Sequence, residues 1–298
     1  MSRPARLAVG VISAGRVGSV LGAALDQAGH PVVAAAGIST ASVRRAEAML
    51  PGVPLLPADE VADRADLVLL AVPDDELPGV VNGLVDTGKL RAGQILVHTS
   101  GSHGVDVLGP AAACGVLPVA LHPVMTFSGR SEDLDRLSTS CFGVTSRPSD
   151  EAAAHVGAAL TVEMGAEPVH VPEQARSLYH TALAHGANHL ITLVADCAQL
   201  LRTGGVDTPE RLLGPLLSAA LDNVLRHGDR ALTGPVARGD AGTVRQHLDV
   251  LAEQGPELTD SYRELARRTV ARAGANGMLN RDTAVRFDEL LDDSGGAQ

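Results

Sequence analysis

The 298-residue sequence predicts an α/β fold, a doubly wound parallel sheet followed by an all-helical domain. Three observations carry that expectation. Short apolar runs alternate with helical patterns from the N-terminus to about residue 171. Those runs are apolar throughout, as strands covered on both faces must be. From Pro172 onward helical periodicity takes over and no further strand pattern appears. The chain therefore divides into 1–171 and 172–291, and the last stretch, "DDSGGAQ" at 292–298, reads as a disordered tail.

The expected strands are "RLAVGVI", "PVVAAAG", "VPLL", "DLVLLAV", "QILVHTS", "GVLPVALH", "CFGVTS" and "EPVHV". Between them helices begin at about Gly15, run through "SVRRAEAML" and "ADEVADRA", open near Asp74, and extend from about Ser149 to Met164. In the second half "EQARSLYHTALAHGANHLITLVADCAQLLRTGG" forms one long helix, with three or four more behind it. That helix lacks a polar face from about Tyr179 to Val194, so it is buried either within a helical domain or at a subunit interface. A homodimer through the helical half is the expected assembly.

Composition narrows the function classes. Net charge is −11 with a pI near 5.4, which excludes nucleic acid and anionic membranes as natural partners and leaves a small soluble molecule. Cys114, Cys141 and Cys197 are odd in number and far apart, which fits neither a disulfide framework nor a zinc knuckle and suits a reducing cytoplasm. The N-terminus runs directly into the first strand and no apolar run reaches the roughly 20 residues that span a bilayer, so a cytoplasmic protein is expected. The single lysine, Lys89, leaves Schiff-base chemistry nowhere to sit. At 2% aromatic, the chain has no platform for stacking bases.

The first strand, turn and helix supply the context for a dinucleotide fingerprint. In G-x-G-x-x-G terms the turn reads Ser13, Ala14, Gly15, Arg16, Val17, Gly18. Gly15 lets the backbone approach a pyrophosphate, Gly18 lets the helix pack on the strand, and the helix N-terminus presents its amides to the phosphates. Serine takes the first glycine position. After the second strand, "AAAGISTASVRRAE" offers no acid for a ribose 2′-hydroxyl until Glu47. Ser39, Thr40, Ser42, Arg44 and Arg45 instead suit a 2′-phosphate, so NADP is the expected cofactor and Arg44 its expected phosphate ligand. The plainer alternative makes one of the two arginines part of a solvated helix face. Counting "VPLL" as the third strand, "AVPDDEL" follows the fourth and "HTSGSHG" the fifth. Topology then sets Val72 and Pro73 along the cofactor path and Ser100 near the nicotinamide.

The ordered motifs "GVISAGRVG", "AVPD", "HTSG", "LHPVMTF", "YHTALAHGANH" and "TGPVARGD" resemble a family of Rossmann-like proteins with a helical C-terminal domain. That family is related to deazaflavin-dependent NADP reductases and pyrroline-5-carboxylate reductases. A similar group, the alternative ketopantoate reductases, is associated with pantothenate synthesis. The resemblance covers nearly the whole chain and departs at Ser13, where the family carries glycine. It implies an NADPH-dependent reductase of a small 2-oxoacid, with 2-dehydropantoate as the substrate.

Reduction of a ketone needs a hydride, a proton donor and a group to hold any carboxylate. The lysine that hydroxyacid dehydrogenases of related architecture carry on the first helix of the second domain is missing. His180 and Asn188 lie eight residues apart on that helix, about two turns and some 80° around its axis, so both can border one cleft. His180 is assigned as proton donor and Asn188 as the group that polarises the carbonyl. The competing reading of His180 is a histidine satisfied by a backbone carbonyl. His185 and His189 are one turn apart, but no carboxylate at a third-ligand spacing completes a metal site, and no metal is expected. His122, fixed ahead of a proline, and its loop neighbour Thr126 are candidates for substrate contact. Arg238 in "GPVARGD" is a candidate for the carboxylate, against an ion pair with Asp240. Two other functions remain open: a cyclic imine reductase of the pyrroline-5-carboxylate reductase type, and a non-catalytic NADP-binding regulator.

Overall fold

A computed structural model describes residues 6–292. The first half comprises β1 (Val9–Ile12), α1 (Arg16–Gln27), β2 (Val32–Ala36), α2 (Thr40–Met49), α3 (Ala58–Arg64), β3 (Leu67–Leu70), α4 (Leu77–Asp86), β4 (Ile95–His98), α5 (Gly109–Ala112), β5 (Leu117–Pro123), α6 (Glu132–Leu137), β6 (Cys141–Thr145), α7 (Glu151–Glu163) and β7 (Glu167–His170). The second comprises α8 (Arg176–Thr203), α9 (Glu210–His227), α10 (Ala241–Ala252), α11 (Pro256–Ala275) and α12 (Arg281–Asp292). Asp292, assigned from sequence to the tail, closes α12; the rest of that tail, 293–298, lies outside the described residues.

The seven strands form one sheet in the order β2-β1-β3-β4-β5-β6-β7. β1 to β5 pair in parallel, in agreement with the doubly wound reading. β6 departs from it by pairing antiparallel with β5, and β7 runs parallel to β6, so the last two strands oppose the rest. "VPLL" also departs from expectation. It contributes only a parallel bridge from Leu55 to Ala35 at the outer edge of β2, because Pro54 within it and Pro57 directly after it cannot donate to a ladder. Counted as a vestigial strand, it restores the order 3-2-1-4-5 of a dinucleotide-binding sheet.

Side chains alternate between the two covered faces. Val9, Val11, Leu67, Leu69, Ile95 and Val97 pack in one cluster with α1, α2 and α7. Ile12, Val68, Leu70 and Leu96 pack in another with α3 and α4. Two full layers of helix explain why the strands read as unbroken apolar runs. The chain forms two compact units, Met1–Gly186 and Ala187–Gln298. The first turns of α8 belong with the sheet, because Arg176 and Tyr179 bond to strand residues. In the second unit, α10, α11 and α12 share a core built on Val244, Ala266, Val270 and Phe287. The later turns of α8 and most of α9 leave large apolar side chains in the open: Ile191 is 64% exposed, Leu216 64% and Leu225 77%. Among the described residues no helix is long and apolar enough to cross a membrane.

Candidate active site

Strand order reverses between β1 and β3, and a crevice opens there beyond the strands' carboxyl ends. It measures about 730 Å³ and is lined by Ser13, Gly15, Ser39, Arg45, Val72 and Pro73, among others. Three backbone features shape its floor. Ser13 adopts φ +69°, the left-handed region for which glycine is preferred, so its side chain is carried at a cost of about 1–2 kcal/mol. A Cβ at Gly15 would meet nothing nearer than Ser13 Oγ at 3.9 Å, so this residue holds its cradle open on the crevice side. A Cβ at Gly18 would lie 2.2 Å from the Ser13 carbonyl oxygen, so this glycine is demanded by packing. Gly15 also starts α1 without a side-chain cap, which leaves the first amides of the helix for an anion. These residues fit the pyrophosphate of a dinucleotide.

The remaining fingerprint and phosphate candidates separate. Ala14 is fully buried and donates its amide to Ala36, and Val17 packs against the core. The Ser39 hydroxyl caps α2 by accepting from the Ser42 amide at 3.1 Å. Thr40, Arg44 and Arg16 are exposed and stand off the crevice wall. The arginine on the wall is Arg45, not Arg44, because successive helical residues point about 100° apart. Arg45 and Arg16 both reach Gly129 in the loop after β5, where an added Cβ would meet Arg16 Cγ and Arg45 Cδ at 3.0 Å each.

A second group of polar side chains gathers beyond β4 and β5. His122 is the next-to-last residue of β5, with Nδ1 2.8 Å from the Tyr179 hydroxyl. Its ring meets the His180 ring edge-on, centroids 6.1 Å apart. Gly101 is the floor between them: a Cβ there would lie 2.6 Å from His180 Cδ2 and 2.8 Å from His122 Nε2. Burial, with Arg176 and His180 adding repulsion, pushes His122 down to about 4. Its ring is therefore neutral at pH 7, beside a Tyr179 phenol that burial keeps protonated. His98 is fully buried, pushed down to about 3 chiefly by desolvation, and fixed as one tautomer: Nε2 donates to the Gly104 carbonyl and Nδ1 accepts from the Ser100 amide.

Arg176 underpins this group. It is 2% exposed and donates to Thr145 Oγ1 and to the carbonyls of Ser100, Ala120 and Gly143, tying the loop after β4 to β5 and β6. Its guanidinium lies 5.6 Å from the centroid of the Tyr179 ring. Glu173, one turn earlier, accepts from the Val105 amide at 2.8 Å. On the opposite flank Ser102 donates to Asp74 at 2.6 Å, with Ser100 and His103 alongside.

The structure thus brings His180, His122 and the Ser100 loop together. Thr126 is exposed in the loop after β5. Asn188 and Arg238 belong to the second unit, where Asn188 is exposed and Arg238 donates to the Thr233 carbonyl. Tyr179, Arg176, Asp74 and His103 were not singled out from sequence. Asp74 and His103 stand inside the motifs "AVPDDEL" and "HTSGSHG", and Tyr179 beside His180, so the signal available was adjacency alone.

Comparison with known proteins agrees with this anatomy. Residues 1–123 match the Rossmann-like domain and residues 140–269 match DUF2520, a domain of unknown function. No curated protein matches the sequence. A candidate NADP oxidoreductase of Bacteroides fragilis is similar in structure with a TM-score of 0.73 at 24% identity, over 89% of this chain and 98% of that one. An imine reductase variant of Myxococcus stipitatus in complex with NAD+ reaches 0.63 at 18% identity, over 95% and 99%. The NADP-bound pyrroline carboxylate reductase of Plasmodium falciparum reaches 0.54 at 12% identity, over 96% and 98%.

Proposed function

We propose that this chain, a Rossmann-like domain joined to a DUF2520 domain, is an NADPH-dependent reductase of a small carbonyl compound, with the 2-oxoacid 2-dehydropantoate as substrate and pantoate as product. The observation that carries the reductase reading is the pairing of two sites along one sheet edge: an open glycine cradle beyond β1 and a histidine–tyrosine cluster beyond β4 and β5. Similarity to nicotinamide-dependent reductases supports the same reading. The oxoacid rests on the motif resemblance.

Gly15, Ser13, Val72 and Pro73 are the residues to hold the dinucleotide, and Arg45 rather than Arg44 the residue to meet a 2′-phosphate. Arg45 has no ion-pair partner among the described residues and lies on the crevice wall. The bound cofactor supplies hydride. The chain's own task is then to deliver one proton to the substrate heteroatom, and His180 is the proposed donor, positioned against neutral His122. Asn188 is the proposed polarising group, and Ser100, His122 and Thr126 the proposed substrate contacts, with Arg238 for the carboxylate.

A cyclic imine is the second reading, and one observation favours it. Arg176, the cation within the histidine–tyrosine cluster, is buried and commits four of its five N–H donors to Thr145 and backbone carbonyls, so it has no two-pronged fork left for a carboxylate. The deciding experiment measures NADPH and NADH oxidation by the pure protein against a panel of 2-oxoacids and cyclic imines. Turnover on 2-dehydropantoate is expected, and tight NADPH binding without any turnover makes the protein a regulator. In the same assay Arg45→Ala should weaken NADPH binding at least 10-fold more than NADH binding. Equal losses count against the phosphate assignment.

The uncovered apolar side chains of α8 and α9 support a homodimer through the helical unit, since a monomer would leave Leu190, Ile191, Leu212, Leu216, Leu221 and Leu225 in water. Light scattering at micromolar concentration is expected to give twice the 30.6 kDa chain mass. A monomer there removes the assignment.

A further inference from the structure

We infer that Asp74, acting through Ser102, orients His103 as a second proton-handling imidazole of this site; the chemistry it serves rests on the reductase reading above. The hydrogen bonds favour one arrangement of protons. Ser102 Oγ lies 2.6 Å from Asp74 Oδ2 and donates its only proton there. His103 Nδ1 lies 3.2 Å from Ser102 Oγ. With its proton committed to the carboxylate, that hydroxyl can only accept from the ring, and with the Ser100 hydroxyl also directed at Asp74 neither serine is left to donate to Nδ1, so Nδ1 carries the hydrogen. Ser100 Oγ completes the clamp, accepting from the His103 backbone N–H at 3.1 Å and lying 3.2 Å from Nδ1. The donors run from Nδ1–H to Ser102 to Asp74. Nε2 is left as the atom that takes or releases a proton.

The terminal acceptor is an anion. Burial alone would raise Asp74, but bonds from Ser102 and Ser100, together with the nearby imidazoles of His103 and His180, hold it below the usual carboxylate range. The neighbouring titratable groups are engaged elsewhere: His98 with Gly104 and Ser100, His122 with Tyr179, Glu173 with Val105, and Arg176 with carbonyls. His103 is half-buried, at the margin with solvent. Each reduction consumes one proton from the site, and His180, once it has given its proton, must be recharged. His103 Nε2 takes a proton from solvent and returns it to the site while Nδ1–H stays on its serine, so no net charge accumulates over a cycle.

The test reads the tautomer directly. In the full chain, 15N NMR of labelled histidine should show His103 as the Nδ1–H tautomer, less common in solution than Nε2–H. Ser102→Ala and Asp74→Asn should each shift it toward Nε2–H, and Ser102→Thr should keep it. With the substrate found by the panel, Asp74→Asn should lower turnover about 100-fold, the low end for disabling acid–base catalysis, with the Kd for NADPH unchanged. An Nε2–H tautomer in the unaltered protein, or one indifferent to both substitutions, overturns the inference, as does full turnover by Asp74→Asn. The tautomer is read without substrate, so a protein that reduces nothing on the panel defeats the reductase reading separately.

Discussion

His180→Ala is expected to lower turnover about 10²- to 10⁴-fold while leaving NADPH affinity intact, the scale on which a general acid contributes. The expectation follows from position. His180 shares the floor of Gly101 with His122, and its ring sits edge-on to a histidine that burial holds neutral, so His122 is a poor proton source at pH 7. Tyr179 is the internal control. Its phenol, raised by burial, points its hydroxyl at His122, so Tyr179→Phe removes a hydrogen bond and no ring. Single-turnover rates of the two variants separate the roles. If His180→Ala keeps most of its activity while Tyr179→Phe loses it, the proton travels from the phenol through His122. If both keep it, an imine that needs less acid becomes the better substrate.

The largest effect on stability is expected at Arg176. Arg176→Met keeps much of the apolar stem but removes every donor, stranding the carbonyls of Ser100, Ala120 and Gly143 where water has no access. Each buried carbonyl left without a donor costs about 1–3 kcal/mol, a large share in sum of the roughly 5–15 kcal/mol that typically separates folded from unfolded states. Urea unfolding followed by circular dichroism should show the midpoint fall accordingly. Lysine should not rescue it, since one ammonium cannot reproduce the planar fork that spans β5, β6 and the loop after β4. A midpoint within error of the parent means those carbonyls find other partners and removes Arg176 as the tie between α8 and the sheet.

What the sequence determined by itself is what local chemistry writes into neighbouring residues. Apolar runs set between helical stretches specified the sheet, because strands covered on both faces carry no polar alternation. Ser13, Gly15 and Gly18 marked the turn because their roles are steric and local: one residue at positive φ, one open cradle, one close approach of helix to strand. The change of rhythm near Pro172 was legible too.

The tertiary structure decided everything that depends on distant residues meeting. "VPLL" has the composition of a strand, yet Pro54 within it and Pro57 after it limit it to one bridge, and the reversal of β6 is invisible in a run that reads like any other. Arg44 and Arg45 are equivalent as letters and differ by a helical rotation that only the packing of α2 fixes. Arg176 reads as a charged surface residue; it is buried because carbonyls from β5, from β6 and from the loop after β4 converge on it. The same holds for Asp74, Ser102 and His103, which lie 28 and 29 positions apart along the chain from carboxylate to hydroxyl and imidazole. Their hydrogen bonds form because β3 and β4 are adjacent and parallel, so the loops beyond both strands open at the same edge of the sheet.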